Sequence, residues 1–313
     1  MKIFPTIAQR LRHDYIKWRY RRAARRVLFT RPLNKGKLPF MLLSMVHARD
    51  VVSYLVAAKS FAQYASPERI VVVCDPSISQ SDRVTFKRHI PHIELRDATE
   101  FLDPLIPEGG TWERLHAIAT YAPDNYIVQL DADTVTINPI HEVVHAISNG
   151  EAFVLGGEPG EEILTLNETS LKAKRFVGPN MHIQDLTEWK LGELDAPPQQ
   201  MYVRGCSGFT GFPRNPNMRA KLLAFSAQMQ ALVGERWKTW GTEQVTSNYL
   251  VANAHGVKIL PYAKYTTPNF STGETAFLHF IGYVRHASGL YAQLAGEIAA
   301  ELSASARLEH RVA

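Results

Sequence analysis

The sequence predicts an α/β protein with a mixed, mainly parallel sheet flanked by helices and preceded by a basic helical arm. First, apolar strand-like runs alternate with helices of about 10–15 residues from Pro39 onward, which is typical of βαβ units. Second, the chain has 313 residues, 45% of them hydrophobic, which is enough to bury a large core. Third, basic residues are concentrated in the first 37 residues, ahead of this alternation.

The composition argues against several classes of protein. The two cysteines, Cys74 and Cys206, are too far apart for a CxxC motif, so a structural zinc site or a disulfide scaffold is not expected. The longest apolar runs, such as residues 40–46, are shorter than the roughly 18–20 residues that a membrane-spanning helix needs. The N-terminus is charged where a secretory signal would be apolar. We therefore expect a cytoplasmic protein.

The arm, residues 1–37, is predicted to be an amphipathic helix. Residues 10–37 hold eleven basic residues and one acidic residue, a net charge of +10, whereas the rest of the chain carries −5. Apolar residues in the arm recur at steps of three or four, which indicates one helix face. They are Ile3, Ile7, Leu11, Tyr15 and Trp18. Pro32 and Gly36 end the pattern before the domain predicted over residues 38–305.

Two interpretations of this arm are open. A basic helix with Tyr and Trp along its apolar edge is typical of contact with an anionic membrane surface, in which case the arm lies outside the catalytic domain. Alternatively, the same apolar stripe packs on the body of the protein. Because the positive charge is local, a nucleic-acid partner is not expected.

The first half of the domain, residues 38–140, alternates strands and helices. Runs rich in Val, Ile and Leu predict strands at residues 40–46, 69–74, 92–95 and 126–130. Helices are predicted between them, at residues 50–64, 80–89 and 111–121. Ligands of such parallel sheets bind beyond the carboxyl ends of the strands, so the residues after Leu130 are expected at the functional site.

The second half, residues 141–305, is less regular. Residues 156–200 are rich in Gly, Pro and charge, with a weak helix near residues 171–176, and are interpreted as an insertion or an acceptor-side segment. Residues 201–212 are predicted to form a strand and turn. Further helices are expected at residues 216–233, 243–254 and 286–304, and short strands at residues 257–261 and 277–281.

The triplet Asp131-Ala132-Asp133 is the most informative motif. Two carboxylates two residues apart at the end of a strand can reach one divalent cation if the chain turns there. Hard oxygen ligands suit Mg²⁺ or Mn²⁺, which bind carboxylates together with substrate phosphates. Short acidic patterns also occur in solvated turns, but the buried strand before this one favours a metal–diphosphate site.

Several motifs in fixed order carry a resemblance to a known family. They are residues 126–133 (YIVQLDAD), Arg114-Leu115 on the preceding helix, Cys206-Ser207-Gly208-Phe209, Glu243-Gln244 with Asn248 beyond, and residues 279–285 (HFIGYVR). Over residues 38–295 the chain resembles the GT-A-fold glycosyltransferases and is most similar to the retaining family 8. Arg285 stands where that family has Lys, and His286-Ala287 replaces its Pro-Trp.

The resemblance implies a role for each motif. It makes Asp131, Asp133 and His279 ligands of Mn²⁺ or Mg²⁺. It places a nucleotide-diphosphate sugar on Arg114, Asp131, Asp133, Ser207, Gly208, Gly282 and Arg285. It places Glu243 and Gln244 beneath the anomeric carbon as catalytic residues. From the residues alone, other roles stay open: a core histidine at 279, a surface charge at 114, a tight turn at Ser207-Gly208, and a first-turn acid after an N-cap at 242.

The sequence therefore predicts a metal-dependent glycosyltransferase that acts on a hydroxyl group of a glycan or lipid-linked acceptor. Retention follows from the resemblance only, since an inverting enzyme could use Glu243 or Asp185 as base. One alternative is a sugar-phosphate nucleotidyltransferase, although residues 44–50 lack the glycines of its usual loop. The other is a non-catalytic protein that binds a membrane or nucleic acid through the arm.

Overall fold

A seven-stranded, mostly parallel sheet forms the centre of the computed structural model, which describes residues 7–178 and 181–312. The strands are β1 (Leu38–Val46), β2 (Pro67–Cys74), β3 (Ile93–Asp97), β4 (Ile127–Leu130), β5 (Thr134–Thr136), β6 (Phe153–Gly156), β7 (Ile163–Thr165), β8 (Met201–Val203), β9 (Gly205–Phe212), β10 (Lys258–Ile259), β11 (Tyr265–Thr266) and β12 (Phe277–His279). The α-helices are α1 (Ile7–Ala24), α2 (Val51–Ala62), α3 (Gln80–His89), α4 (Trp112–Tyr121), α5 (His141–Asn149), α6 (Leu166–Lys174), α7 (Ile183–Lys190), α8 (Met218–Val233), α9 (Thr242–Ala252) and α10 (Leu290–Val312).

The central sheet has the strand order β10-β6-β9-β4-β1-β2-β3. Strands β3, β2, β1 and β4 run parallel to one another, whereas β9 is antiparallel to both β4 and β6. A small sheet, β11-β12-β5, lies beyond the end of β4, with β12 antiparallel to β5. This small sheet brings the chain around residue 279 next to the segment that follows β4.

The central strands are buried on both faces, which explains their unbroken apolar runs. In β1, Phe40 and Leu42 pack into the core beneath α1, α2 and α10, whereas Met41 and Leu43 pack into a second core beneath α4, α8 and α9. Helices therefore cover both faces of the sheet, and the predicted α/β class is confirmed.

Most predicted elements are present with small changes of bounds. The helix predicted at residues 171–176 is α6, which begins earlier because Thr165 and Glu168 form a capping box. Helix α7 was not predicted in that segment. The closing helix begins at Leu290 rather than at residue 286, since Gly282–His286 forms a 3-10 helix.

Helix α1 packs on the body of the protein, but not through the predicted stripe. Its buried side chains are Ile16, Tyr20 and Ala24, and Tyr20 stacks on Tyr291 of α10 with ring centroids 4.0 Å apart. The predicted stripe is exposed: Leu11 by 64%, Tyr15 by 58% and Trp18 by 53%. Ile3 and the side chain of Ile7 lie outside the described residues.

The described part of the arm is therefore not separate from the domain, contrary to the interpretation in which the arm lies outside it. Tyr20, Ala24 and Val27 belong to the hydrophobic core beneath α2 and α10. Among the described helices, none combines the length and the hydrophobicity needed to cross a bilayer.

Candidate active site

A cavity of about 1160 Å³ opens beyond the carboxyl ends of β1 and β4. The segments that follow these two strands form its floor, and the start of β9 lies beside them because β9 is antiparallel to β4. All ten residues that the sequence assigned to a site line this cavity: Arg114, Asp131, Asp133, Ser207, Gly208, Glu243, Gln244, His279, Gly282 and Arg285. The fold thus brings together segments up to 171 residues apart.

Asp131, Asp133 and His279 form a compact cluster. One ligand atom from each residue lies within 4.8 Å of the other two. Nε2 of His279 is 3.2 Å from Oδ1 of Asp133 and 3.7 Å from Oδ2 of Asp131. Two carboxylates and one imidazole at this spacing can coordinate one divalent cation.

Backbone pairing fixes this cluster. The N–H of Asp131 donates to the carbonyl of Gly208 at 2.8 Å, so the first aspartate is tied to β9. His279 is opposite Thr134 in the β12–β5 pair, and the N–H of Phe280 donates to the carbonyl of Asp133 at 2.8 Å. The cluster therefore stands on two sheets rather than on a flexible loop.

Charged neighbours tune the groups of the cluster. Burial alone would raise the pKa of Asp133, but His279 and Arg285 hold that pKa well below its usual range. Burial alone would lower the pKa of His279, but Cys206 and Asp133 raise it well above its usual value. The protonated imidazole is thus favoured beside Asp133, where it adds to the positive charge of Arg285.

Arg285 joins the cluster to the start of α2. Its guanidinium donates to Asp133 and also to Oδ1 of Asp50, at 3.0 Å. The 3-10 helix Gly282–His286 that carries Arg285 begins at Gly282, whose φ of +48° lies in the region that glycine tolerates best. Arg285 is therefore held at the floor of the cavity with its guanidinium towards Asp133 and Asp50.

Arg114 makes the second link, from α4. It is 3% exposed, so it is not a surface charge. Its Nη1 donates to Asp131, and its Nη2 donates to Oε1 of Glu243 at 3.1 Å and to the Ser207 hydroxyl at 3.4 Å. The two carboxylates among these partners raise the pKa of Arg114 although burial opposes this.

Glu243 and Gln244 differ in their surroundings. Glu243 is 2% exposed, accepts hydrogen bonds from Arg114 and from the Thr111 hydroxyl at 3.0 Å, and has a pKa that burial raises. Gln244 is half-buried, and its Oε1 lies 3.5 Å from the amide nitrogen of Ser207. The Oε1 of Gln244 is thus at the outer limit of hydrogen-bond distance from the amide and the hydroxyl of Ser207, whereas Glu243 is held firmly by Arg114 and Thr111.

Asp185, the other candidate base, lies elsewhere. Its carboxylate accepts from Nη2 of Arg204 at 2.9 Å, and Arg204 also pairs with Glu188 at 2.7 Å. Arg204 lines the cavity, but Asp185 is not among the described lining residues.

The structure adds cavity residues that sequence reasoning missed. Those on the floor are Asp50, Thr111 and Cys206. Lys17 and Arg21 lie on α1, and Arg25 begins the 3-10 helix that continues it. Those on the side of β6 are Glu158 and Glu161. Thr111 has a positive φ of 74°, and the preceding Gly109-Gly110 pair was the available signal for such a turn. Cys206 stood within a recognised motif, and its Sγ lies 3.3 Å from Nδ1 of His279.

No family model matches the chain, and no curated protein matches it. Solved structures do match. The glycosyltransferase GlyE of Streptococcus pneumoniae TIGR4 is 10% identical, with a TM-score of 0.50 over 86% of this chain and 64% of GlyE. An active-site mutant of LgtC is 13% identical, with a TM-score of 0.49 over 82% of this chain and 96% of LgtC.

The bifunctional glycosyltransferase WbbM is 15% identical, with a TM-score of 0.48 over 80% of this chain. The chain spans about half of the length of WbbM, 47%. At these identities the comparisons concern the fold alone. The match to GlyE, together with the observed sheet order, shows that the chain has the GT-A fold.

Proposed function

We propose that the chain is a glycosyltransferase that moves a sugar from a nucleotide-diphosphate sugar to a hydroxyl group of an acceptor. The observation that carries this proposal is the convergence of Asp131, Asp133 and His279 at the floor of a large cavity, beyond the carboxyl ends of the strands. The GT-A fold that the chain shares with GlyE, a glycosyltransferase, supports the same activity.

The donor set fits Mn²⁺ or Mg²⁺. Asp131, Asp133 and His279 would hold the ion through two carboxylates and one imidazole, ligands that lie within 4.8 Å of one another. When bound, the ion would act as a Lewis acid on the diphosphate leaving group. Because the pKa of His279 is raised in the protein, binding of the ion would release a proton, and affinity should increase with pH.

The arginines would contribute the remaining positive charge on the diphosphate. Arg285 presents a planar guanidinium that can donate two parallel hydrogen bonds to phosphate oxygens, in place of the lysine of family 8. Space is open around the backbone of Gly282, so a phosphate could approach it closely. Arg114 would orient Asp131 and, with Ser207, border the sugar from the other side of the cluster.

Glu243 and Gln244 would have different tasks. The amide oxygen of Gln244 can face the positive charge that develops at the anomeric carbon when the diphosphate leaves. Glu243 is bound to Arg114 and Thr111, so its task is to position Arg114. Glu243 pairs with Arg114 and Asp185 with Arg204, so neither of these two candidate bases is free. Together with the resemblance to the retaining family 8, this supports our proposal of transfer with retention.

A sugar-phosphate nucleotidyltransferase is not favoured by any observation. After β1 the chain continues through the 3-10 helix Ala48–Asp50 into α2, and no glycine is present there to cradle a triphosphate.

We further propose a glycan or lipid-linked acceptor and a place at the cytoplasmic face of an anionic membrane, in surface polysaccharide synthesis. The support is the exposed stripe Leu11, Tyr15 and Trp18 on α1, which is flanked by the basic residues of that helix. Such a surface combines apolar insertion with attraction to anionic lipids.

The test of the proposed function is turnover of nucleotide sugars by the full chain. We expect release of nucleoside diphosphate from at least one of the common UDP-, GDP- or dTDP-sugars when Mn²⁺ or Mg²⁺ is present, and its loss with EDTA. Asp133→Asn should lose the activity, whereas Asp124→Asn, a change at an exposed aspartate, should retain it. Absence of both turnover and binding across the panel would contradict the proposal.

A further inference from the structure

One wall of the cavity is made by α1, a helix outside the family resemblance. Lys17, Arg21 and Arg25 recur every four residues, so they lie along one face of α1 and its continuation, and all three line the cavity. Two other basic residues of this helix point elsewhere. Arg19 lies over the ring of Tyr15, and Arg22 lies over the ring of Trp18.

This wall is anchored to the floor of the cavity. The Tyr20 hydroxyl donates to Oγ of Ser53 at 2.7 Å, and its ring contacts the rings of His286 and Tyr291, with centroids 5.3 Å and 4.0 Å away. Ser53 belongs to α2, and His286 follows Arg285 in the 3-10 helix that also carries Gly282. The basic face of α1 is therefore held in fixed relation to the proposed diphosphate site.

The three cations of this face differ from the arginines on the floor of the cavity in their partners. In the described part of the chain, no carboxylate lies within ion-pair distance of Lys17, Arg21 or Arg25. By contrast, Arg114 and Arg285 each pair with two carboxylates. Unpaired positive charge on the wall of a cavity attracts an anion.

Burial and nearby basic groups both keep the neighbouring His286 uncharged. Burial lowers the pKa of His286 to about 4, with further lowering by Arg285, His13, Lys17 and Arg21. His286 is therefore neutral near pH 7, and it adds no positive charge to the wall.

We propose that Lys17, Arg21 and Arg25 form a phosphate-binding face of the cavity, which makes α1 a part of the substrate site. The proposal rests on the proposed glycosyl transfer for its choice of ligand. The phosphate can belong to the diphosphate of the donor, or it can belong to the acceptor, as in a lipid-linked sugar phosphate. Either source requires the same chemistry, several guanidinium or ammonium donors around phosphate oxygens.

The test compares two double variants with the same loss of charge. Arg21→Gln with Arg25→Gln removes charge from the cavity wall, and both side chains are exposed, so the fold should tolerate the change. Arg19→Gln with Arg22→Gln removes the same charge from the other face of α1 and is the control. Arg21→Lys with Arg25→Lys keeps the charge and should restore most of the binding.

Isothermal titration has two arms. In the first, UDP and GDP are titrated with Mn²⁺; if the phosphate is the donor's, the Arg21/Arg25 double Gln variant binds about tenfold or more weakly than the control variant. In the second, inorganic pyrophosphate is titrated into protein saturated with the bound nucleotide and Mn²⁺. If the phosphate is the acceptor's, only the Arg21/Arg25 double Gln variant loses this second, salt-sensitive binding.

Equal affinities of the two double Gln variants in both arms would overturn the inference. A different result would show that the proposed function itself is wrong. In that case the wild-type protein binds neither nucleotide, and pyrophosphate titrated into the free protein still decides whether the basic face binds phosphate.

Discussion

The imidazole ring of His279 occupies the space in which a β-carbon at position 208 would stand. Gly208 is therefore required because a side chain would overlap the proposed metal ligand. The backbone conformation is not the reason, since the φ of Gly208 is not in the left-handed region. Its carbonyl also accepts the N–H of Asp131 at 2.8 Å. One glycine thus fixes the distance between the aspartate pair and the histidine.

Gly208→Ala should displace His279 or strand β9, because the added methyl group overlaps the ring. We expect a loss of stability of about 1–3 kcal/mol and at least a tenfold loss of metal affinity. Thermal unfolding and titration with Mn²⁺ measure the two effects. Gly273→Ala is the matched control, since nothing lies within 4 Å of its added carbon. Wild-type metal binding in Gly208→Ala would show that His279 is not a ligand.

Glu243→Ala and Gln244→Ala should separate positioning from catalysis. Loss of Glu243 leaves the buried Arg114 with fewer partners, so both kcat and stability should fall, the latter by about 3 kcal/mol. If Gln244 faces the reacting carbon, as proposed, Gln244→Ala should lower kcat with little change in stability or donor KM. Steady-state kinetics and thermal unfolding check both. An effect of Gln244→Ala on donor KM alone would place this residue at the nucleotide.

Acid should destabilise the protein through His89. His89 is 2% exposed, 3.2 Å from the Nζ of Lys59, and its pKa is lowered to about 4 by burial, Lys59 and Arg88. The unfolded chain, with an ordinary histidine pKa of about 6.5, binds more protons between these values, so stability should fall as pH decreases from about 6.5 to 4.

His89→Gln should reduce this fall, whereas His145→Gln, at an exposed histidine of α5, should leave it unchanged. The melting temperature of each variant at pH 5 and pH 7 makes the comparison. The same pH dependence in His89→Gln and the wild type would exclude His89 as its cause.

Tyr15→Ser with Trp18→Ser should release the protein from anionic liposomes and preserve the fold, because both side chains are more than half exposed. Binding of the wild type should weaken as salt increases, since each basic residue near the surface adds about 1 kcal/mol. Co-sedimentation with anionic and neutral liposomes measures this, with Phe270→Ser, a half-exposed aromatic residue far from α1 in the sequence, as control. Equal sedimentation of both variants would contradict the membrane proposal.

Deletion of residues 1–37 would not test membrane binding, because it should also destabilise the fold. Tyr20, Ala24 and Val27 are in the core, and Lys59 donates to Thr30 at 2.8 Å. We expect the truncated chain to unfold at a lower temperature than the full chain, as thermal denaturation would show; equal melting temperatures would mean that α1 is dispensable for the fold.

The sequence predicts the central sheet because each central strand is buried on both faces. Such a strand is a continuous apolar run, which a short window of sequence is enough to detect. Strand β5, which was not predicted, is three residues long and depends on pairing with β12, where Thr134 is opposite His279; no local window shows such a pairing. The inner face of α1 was missed for a similar reason. Ala24 and Tyr20 are weak signals until α10 covers them, whereas Trp18 and Tyr15 are strong signals that remain exposed.

The motifs of the candidate site were predictable because each lies within a few residues of its neighbours in the chain. Asp50 and Thr111 were not. Asp50 is linked to the site through Arg285, which is 235 residues away, and Thr111 through Glu243, which is 132 residues away. Such long-range hydrogen bonds arise from the packing of α2 and α4 beside the sheet, and patterns in a single sequence do not predict them.

The central claim is that Asp131, Asp133 and His279 hold a divalent cation on which a nucleoside diphosphate binds. The most direct measurement is the affinity of the wild type and of Asp133→Asn for UDP and GDP, with and without Mn²⁺, by calorimetry. We predict that Mn²⁺ tightens binding of at least one nucleotide by about tenfold or more in the wild type and in Asp124→Asn, and has no effect in Asp133→Asn. The same Mn²⁺-dependent affinity in Asp133→Asn as in the wild type would contradict the account.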